Sequence, residues 1–328
     1  MAGAYSYCSN LTGSPVCGDK VTRMTQTFEG CFNLTGSPVC GPNVTSMYYT
    51  YAYCINLTGS PVCGPNVTSM QYAYDSCRSL TGSPVCGNKV TDMHFTYNGC
   101  YNLTGSPVCG PNVTGMYWTY AYCSNLTGSP VCGNNVIHMF QTYQMCYNLT
   151  GSPVCGPNVT NMSGAYQMCY NLTGSPVCGN NVTDMSETYR NCYNLTGSPV
   201  CGDNVVNMAA AYFRCYNLIG SPVCGPNVIS MCETYYDCYN LTGNSYFYST
   251  QVSNIKKCFF GRNNSSCLNI YTINGSTTHT TLLITTSSSL VGAAITWTDM
   301  GDHVHNAQYN ISIYPVDDID AARAINKD

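Results

Sequence analysis

Apolar residues recur along most of this chain with a fixed period of 23 residues. If the first Cys of each repeat is position 1, Leu stands at position 4, Val at positions 9 and 14, Met at position 17 and an aromatic residue at position 21. The first Cys residues run from Cys8 to Cys238 without an insertion or a deletion. Such a period is typical of solenoids, in which each repeat buries its apolar residues against its neighbours. We therefore expect a repeat solenoid whose core is made of these apolar columns.

The pattern within one repeat predicts its local elements. Met24, Phe28 and Cys31 follow the i, i+4, i+7 spacing of one face of a short helical turn. The Leu-Thr-Gly-Ser run alternates inward and outward residues as a strand does, and the Pro that follows must end that strand. Asn-Val-Thr at positions 13 to 15 predicts a second short strand. Each repeat is thus predicted to be strand, turn, strand and helical turn.

The repeat divides the chain into three parts. We expect the solenoid over residues 1–242, with a partial first coil and then ten coils of 23 residues from Cys8. Strand-like runs at 268–271, 281–285, 294–298 and 309–314 predict a β-rich C-terminal cap over 243–316, followed by a tail over 317–328. The chain enters the pattern inside a repeat, and an uncapped solenoid end predicts an upstream domain, a partner, or self-association at the open N-terminal coil.

The 24 Cys residues allow two interpretations. Twenty-one of them stand at positions 1 and 10, so each repeat could close a local disulfide such as Cys8–Cys17, which would indicate an oxidising location. Alternatively, the thiols pack as small apolar side chains in two reduced columns. A metal site is not predicted, because the pairs lack close C-x-x-C spacing and His partners.

Composition removes several classes of function. Only 8% of residues are charged and the net charge is −4, so nucleic acid is not an expected partner. No apolar run approaches the roughly 20 residues that span a bilayer, so membrane insertion is not expected. The acids are few, the five His residues are scattered, and no phosphate loop or nucleophile motif is present. We expect no enzyme activity and no cofactor.

The positions that vary between repeats suggest a binding surface. Positions 2, 18, 19 and 23 carry many aromatic residues in the second to the sixth repeat, while the columns between them stay constant. Exposed Tyr and Trp among small polar residues are common in recognition surfaces. Alternatively, these rings only shield the corners of the coils. The predicted ligand-binding residues, called the aromatic stripe below, are Tyr48, Tyr49, Tyr53, Tyr72, Phe95, Tyr101, Tyr117, Trp118 and Tyr122.

Two other outward patterns have alternative explanations. The recurring Asn-x-Thr tripeptides, as in Asn33-Leu34-Thr35, match glycosylation sites, but stacked Asn residues also form side-chain ladders. The parallel rows that begin at Thr12 and Ser14 have the geometry that ice-binding solenoids use, although the Pro that follows weighs against a flat face.

The repeat text resembles a known family. The pattern Cys-x-Asn-Leu-Thr, then Asn-Val-Thr-x-Met, then aromatic-x-x-Cys is similar to the BspA-type leucine-rich repeats of bacterial surface proteins, most closely at 158–163 and 181–186. The similarity covers residues 1 to about 242. It implies a leucine-rich-repeat horseshoe or a straighter β-solenoid, found on cell surfaces or encoded by phages and usually active in adhesion.

These observations lead to one expected function and two alternatives. We expect a non-enzymatic extracellular, cell-surface or virion-borne protein that binds a protein or glycan target through the aromatic stripe, as an adhesin or fibre-type receptor-binding protein does. The first alternative is a structural fibre subunit assembled by end-to-end stacking of coils. The second is an ice-binding solenoid.

Overall fold

The computed structural model of the chain describes residues 1–241, Cys258 and five strand segments beyond them. The strands are β1 (Val223–Cys224), β2 (Ser245–Phe247), β3 (Ile270–Thr272), β4 (Leu283–Thr286), β5 (Ser289–Thr296) and β6 (Asn310–Pro315). The described part of the chain contains no helix, and β1 is the one strand within residues 1–241.

Consecutive repeats lie side by side in register. A parallel bridge joins position 16 of each repeat to position 16 of the next, beginning with Arg23↔Ser46 and Ser46↔Ser69 and ending with Asn207↔Ser230. Each bridge spans 23 residues, the period of the sequence. Equivalent residues of successive repeats therefore form columns along the stack.

The predicted helical turn is instead a run of hydrogen-bonded turns. Alternate amides point to the next repeat, as when Tyr49 N–H donates to the Gln71 carbonyl at 3.1 Å. The amides between them close turns within the repeat, as when Thr50 N–H donates to the Met47 carbonyl at 3.0 Å. A helix needs every amide for bonds along its own axis, so bonding to the neighbouring repeat excludes it. The helical prediction was wrong.

The predicted inward direction of the Met, aromatic, Cys and Leu columns agrees with the structure. Met47, Tyr51, Cys54 and Leu57 are all fully buried, and so are their equivalents in the later repeats. The Val at position 14 is buried as well, as Val44 shows. Position 9 is different, because these Val residues are half-buried from the second repeat onward. Their assignment to the core was therefore wrong.

The buried tyrosines explain the environment of position 9. The Tyr51 hydroxyl accepts from Val39 N–H at 3.0 Å and donates to the Val39 carbonyl at 2.7 Å. The same two bonds join Tyr97 to Val85 at 3.0 and 2.7 Å. One phenol thus satisfies both peptide groups of a residue on the opposite side of its own repeat. The rings also stack between repeats, with centroids 5.4 to 5.7 Å apart from Phe28 to Tyr235.

The two strands predicted in each repeat are absent from residues 1–241, since β1 lies at positions 9 and 10, outside both of them. Glycine accounts for part of the difference. Gly59 has a φ of +81°, outside the extended region. A Cβ on it would lie 2.3 Å from the Ser37 Oγ of the preceding repeat. The Leu-Thr-Gly-Ser run therefore bends at its Gly, and only a Gly fits there.

The cysteines form two columns of thiols. From Cys31 onward, those at position 1 are buried, and each donates to a carbonyl 26 residues earlier, as Cys54 Sγ does to Phe28 O at 2.9 Å. Those at position 10, from Cys17 to Cys201, are half-exposed. No disulfide joins the described cysteines from Cys8 to Cys215. The structure therefore matches the interpretation with reduced columns and not the one with local disulfides.

Parallel pairing continues beyond the last recognisable sequence repeat. β2 pairs in parallel with β1, with Cys224 opposite Phe247, and β3 pairs in parallel with β2, with Tyr246 opposite Tyr271. β2 and β3 lie in the range 243–316 that was predicted to be a β-rich cap. Antiparallel pairing is found for β4, β5 and β6. The predicted tail over 317–328 lies outside the described residues.

Candidate binding surface

The backbone of each repeat places two variable residues in an unusual conformation. Positions 19 and 23 have a positive φ in every repeat, and in the aromatic stripe these are Tyr49 (54°), Tyr72 (56°), Phe95 (54°), Trp118 (54°), Tyr53 (63°) and Tyr122 (64°). A left-handed residue other than Gly costs about 1–3 kcal/mol. Gly would relieve this cost, and the chain uses it at these two positions only at Gly3, Gly30, Gly99 and Gly164. Six of the nine stripe residues therefore occupy strained positions.

The position 19 rings form a continuous stack. Tyr49 and Tyr72 lie 4.2 Å apart between centroids, Tyr72 and Phe95 4.5 Å, and Phe95 and Trp118 5.6 Å. Because each ring covers a face of the next, the stack offers mainly ring edges and hydroxyl groups to solvent. Burial is the largest of the causes that raise the pKa of the Tyr49 phenol. Charge interaction and hydrogen bonding with Tyr72 raise it further. Tyr49 is thus a neutral donor at neutral pH.

Neighbouring columns widen this surface at both ends. The Tyr48 ring meets Tyr49 edge-on at 4.7 Å, and Tyr122 lies 6.0 Å from Trp118. Tyr117 stacks on Phe140 at 4.7 Å, so Phe140 extends the surface into the sixth repeat. Phe140 was not among the predicted site residues, although its position 18 is one of the variable positions.

Tyr53 and Tyr101 are the most exposed members of the aromatic stripe, at 39% and 40%. Burial and the Asp75 carboxylate raise the pKa of Tyr53. Tyr101 stands at position 2, in a different column from the other rings, and its described partner is the guanidinium of Arg78, 5.8 Å from its centroid. The structure thus brings Tyr48, Tyr49, Tyr72, Phe95, Tyr117, Trp118 and Tyr122 together through ring contacts.

Two ring nitrogens at this surface have no hydrogen-bond partner among the described residues. They are Trp118 Nε1 and His94 Nε2, and both atoms are buried. The His94 ring fits because position 16 of the next repeat is Gly115, on which a Cβ would lie 2.1 Å from Nε2. An unsatisfied buried donor or acceptor costs about 1–3 kcal/mol. This part of the surface is therefore not optimised for stability.

A second tyrosine stack was missed by the sequence analysis. Its signal was the near-constant Tyr at position 2 of the later repeats, and its centroid separations are 4.8 to 5.4 Å. These rings are half-buried. The position 2 stack consists of Tyr147, Tyr170, Tyr193, Tyr216 and Tyr239.

The Asn-x-Thr asparagines make structural hydrogen bonds. Asn33 Nδ2 donates to Ser9 O at 2.7 Å, and Asn43 Nδ2 donates to Asp19 O at 2.8 Å. Each amide thus bonds to a backbone carbonyl of the preceding repeat, which accounts for the recurrence of Asn without glycosylation. A shallow groove of about 460 Å³ runs beside this column in the later repeats, lined by Thr160, Asn181, Thr183, Asn204, Val206, Asn227 and Ile229.

Other kinds of site have little support in the described part of the chain. No group of three or more His, Cys, Asp or Glu side chains there is arranged to hold a metal ion. Nor does any helix in that part have the length and hydrophobicity to cross a membrane. No family model, no curated protein and no solved structure matches the chain.

Proposed function

We propose that this chain is a non-enzymatic repeat solenoid that binds a protein or glycan target through the aromatic stripe. The observation that carries this proposal is the continuous surface of aromatic rings from Tyr48 to Phe140. A role outside the cell, at a cell surface or on a virion, follows from such a target. The similarity to BspA-type repeats supports the same role.

Local energetics support a functional role for these rings. The buried, unsatisfied nitrogens of Trp118 and His94 lower stability at this surface. Residues that lower stability are expected at functional sites.

The exposed chemistry suggests how a target would be held. Ring faces are covered by neighbouring rings, so contact would use ring edges and phenol hydroxyls in addition to apolar area. Tyr provides these contacts at a low cost in side-chain entropy. We expect a target with hydroxyl or carbonyl groups repeated along its length, and an affinity with little dependence on salt.

The stripe can be tested by truncating its four central rings. The chain and its Y48A/Y49A/Y117A/W118A variant would be applied to a glycan array and to a panel of receptor ectodomains. We expect the variant to lose more than roughly 100-fold in affinity for any target that the chain binds. Circular dichroism and thermal unfolding would show whether the fold is retained.

A matched control changes rings outside the stripe. The Y147A/Y170A/Y193A variant removes three half-buried stacked rings from the position 2 stack. It should bind as the unchanged chain does. If the stripe variant also binds normally, the stripe is not the site.

End-to-end assembly is the second candidate, favoured by exposed apolar side chains in the partial coil and in the first repeat. Tyr5 stacks on Phe28 at 5.5 Å and is 38% exposed, and Val16 is 71% exposed. A fibre subunit would associate through this surface. Sedimentation velocity over a range of concentrations separates the two functions, because a fibre subunit elongates and a monomeric binder does not.

A further inference from the structure

The half-exposed thiols at position 10 form a feature that the proposed function does not use. We call them the outer thiol column: Cys17, Cys40, Cys63, Cys86, Cys109, Cys132, Cys155, Cys178 and Cys201. Along the sequence these residues are 23 apart, so no short Cys motif identifies them. Stacking of the repeats makes each one the neighbour of the next. Spacing within a single repeat therefore gave no sign of this arrangement.

Each outer thiol lies against a glycine of the following repeat. A Cβ on Gly64 would lie 2.9 Å from Cys40 Sγ, and one on Gly110 would lie 2.8 Å from Cys86 Sγ. The Gly225 amide donates to Cys201 Sγ at 3.2 Å. The Gly at position 11 thus leaves room for the sulfur and also presents an N–H group to it.

An amide donor at sulfur favours the charged thiolate over the thiol. The Gly64 amide has this effect on Cys40, although burial dominates and raises the pKa of Cys40 to about 11. Hydrogen bonds of this kind also stabilise thiolates that are bound to metals. The column therefore remains protonated at neutral pH until a cation displaces the proton.

The spacing of the column suits a linear bridge between two sulfurs. Neighbouring backbones in such a stack lie about 4.8 Å apart. A metal–thiolate bond is about 2.3 Å long, so a linear sulfur–metal–sulfur unit spans about 4.6 Å. Thiolate ligands select soft cations such as Cu(I). A two-coordinate ion needs no third ligand.

We propose that the outer thiol column binds Cu(I), with each ion bridging the Sγ atoms of cysteines in consecutive repeats. For an isolated pair, two S–H bonds break, two S–Cu bonds form, two protons leave to solvent, and no electron is transferred. Where neighbouring ions share a thiolate, each added ion releases one proton. The site lies on a different column from the aromatic stripe and does not depend on target binding.

The inner column at position 1 provides a contrast within the same chain. From Cys31 onward its thiols are fully buried, and each donates to a backbone carbonyl, as Cys77 Sγ does to Tyr51 O at 3.0 Å, whereas the outer Cys40 Sγ donates to Gly41 O at the longer distance of 3.7 Å. Binding a cation there would break that bond and bury a charged group. Cu(I) should therefore leave these thiols unchanged.

Two variants with equal numbers of substitutions test the bridging geometry. The alternate variant changes Cys to Ser at 17, 63, 109, 155 and 201, so no two remaining position 10 cysteines are in consecutive repeats. The block variant changes Cys to Ser at 17, 40, 63, 86 and 109, and leaves the later cysteines consecutive. Ser is close to Cys in size, and its hydroxyl can accept a hydrogen bond from the Gly amide.

Each full-length protein would be reduced and titrated anaerobically with Cu(I) in acetonitrile, followed by ultraviolet charge-transfer absorption, native mass spectrometry and proton release. We expect the block variant to keep part of the stoichiometry of the unchanged chain. The alternate variant should bind roughly 100-fold more weakly, because it lacks the second, adjacent ligand. Equal binding by both variants, or no binding by the unchanged chain, would overturn the proposal.

X-ray absorption of the Cu(I)-loaded unchanged chain provides a test that needs no variant. Two sulfur neighbours without nitrogen or oxygen are expected for the bridge. Three sulfur neighbours around each ion would contradict the proposed bridge. Protection of the position 1 thiols from alkylation that appears only after unfolding would also contradict it, because it would show that Cu(I) binds to a rearranged chain.

Discussion

At the scale of single residues, the buried tyrosine hydroxyl is the most informative group in the repeat. It closes each repeat by bonding to both peptide groups of one Val, whereas a Phe at the same position fills the core but leaves both groups without this partner. The chain itself contains this difference. The first repeat has Phe28 at this position, which has no hydroxyl to bond to Val16.

The Tyr97→Phe variant tests the tyrosine bond directly. Loss of the hydroxyl leaves the Val85 N–H and carbonyl without their bonds of 3.0 and 2.7 Å. We expect a loss of about 1–3 kcal/mol in the free energy of unfolding, measured by denaturant titration.

The matched control for Tyr97→Phe is Tyr193→Phe in the position 2 stack, where the ring is half-buried. It should change stability by less than about 0.5 kcal/mol. Equal effects of the two variants would show that the buried bond contributes nothing specific.

The sequence revealed which columns face inward, because burial leaves an unvarying apolar residue. It did not reveal the backbone that produces this pattern. Met47, Tyr51 and Cys54 have helical spacing, yet alternating bonds to the next repeat place them inward without a helix. Val39 was wrongly assigned to the core. The Tyr51 hydroxyl bonds to its peptide groups, and this contact does not require its side chain to be buried. Hydrogen bonds between repeats cannot be read from the period alone.

At the scale of the column, the environment that the repeats build around the outer thiol column changes the pKa of its cysteines. Burial raises the pKa of Cys40 to about 11, and burial raises that of Cys86 to about 12, above the ordinary value of 9.0. The amides of Gly64 and Gly110 act in the opposite direction and are outweighed. Thiols of the column from Cys40 to Cys201 thus share a strong preference for the neutral form in the folded chain.

This preference predicts loss of stability in alkali. The folded pKa lies above the unfolded one, so between the two values the folded chain binds more protons and stability falls as pH rises. Stability should be constant up to about pH 8, decline from about pH 9 and continue to fall through pH 11. Guanidinium midpoints of the reduced protein at pH 7, 8, 9 and 9.5 measure this.

Below pH 10 the decline should come mainly from the thiols, because unfolded tyrosines titrate at about 10. The block variant, with Cys replaced by Ser at 17, 40, 63, 86 and 109, should therefore show a shallower slope from pH 8 to pH 9.5. An identical slope in both proteins would assign the effect to groups other than these cysteines.

The same scale explains why the candidate site was only partly predictable. Variation between repeats marked the stripe, since variable residues stand out against fixed columns. The sequence could not show that Tyr49, Tyr72, Phe95 and Trp118 stack face to face. The stacking depends on the left-handed turns that direct these side chains.

At the scale of the whole molecule, the described hydrogen bonds between repeats join residues at most 26 apart in sequence, so stability should be close to a sum over repeats and their interfaces. The bridges between repeats are the same from Arg23 to Ser230, and the core columns continue without a break. A repeat should therefore be removable if its removal keeps all columns in register.

Deletion of residues 169–191 tests this, because it removes one whole repeat and joins Met168 to Cys192. Tyr166 would then stack on Tyr212, and the aromatic stripe would be untouched. We expect a folded protein that has lost roughly one-tenth of its unfolding free energy, as one repeat in ten contributes to a sum of equal terms. Denaturant titration gives the free energy, and target binding through the stripe should be unchanged.

The control deletion removes only residues 169–179, less than half of a repeat. Position 12 would then follow position 23, and the Met, Tyr, Cys and Leu of the later repeats could no longer meet their columns in the earlier ones. Loss of cooperative unfolding is expected, because buried columns with a broken register leave cavities and unpaired peptide groups. If both deletions are equally harmful, contacts beyond nearest neighbours stabilise the chain. If both are harmless, the columns do not define the fold.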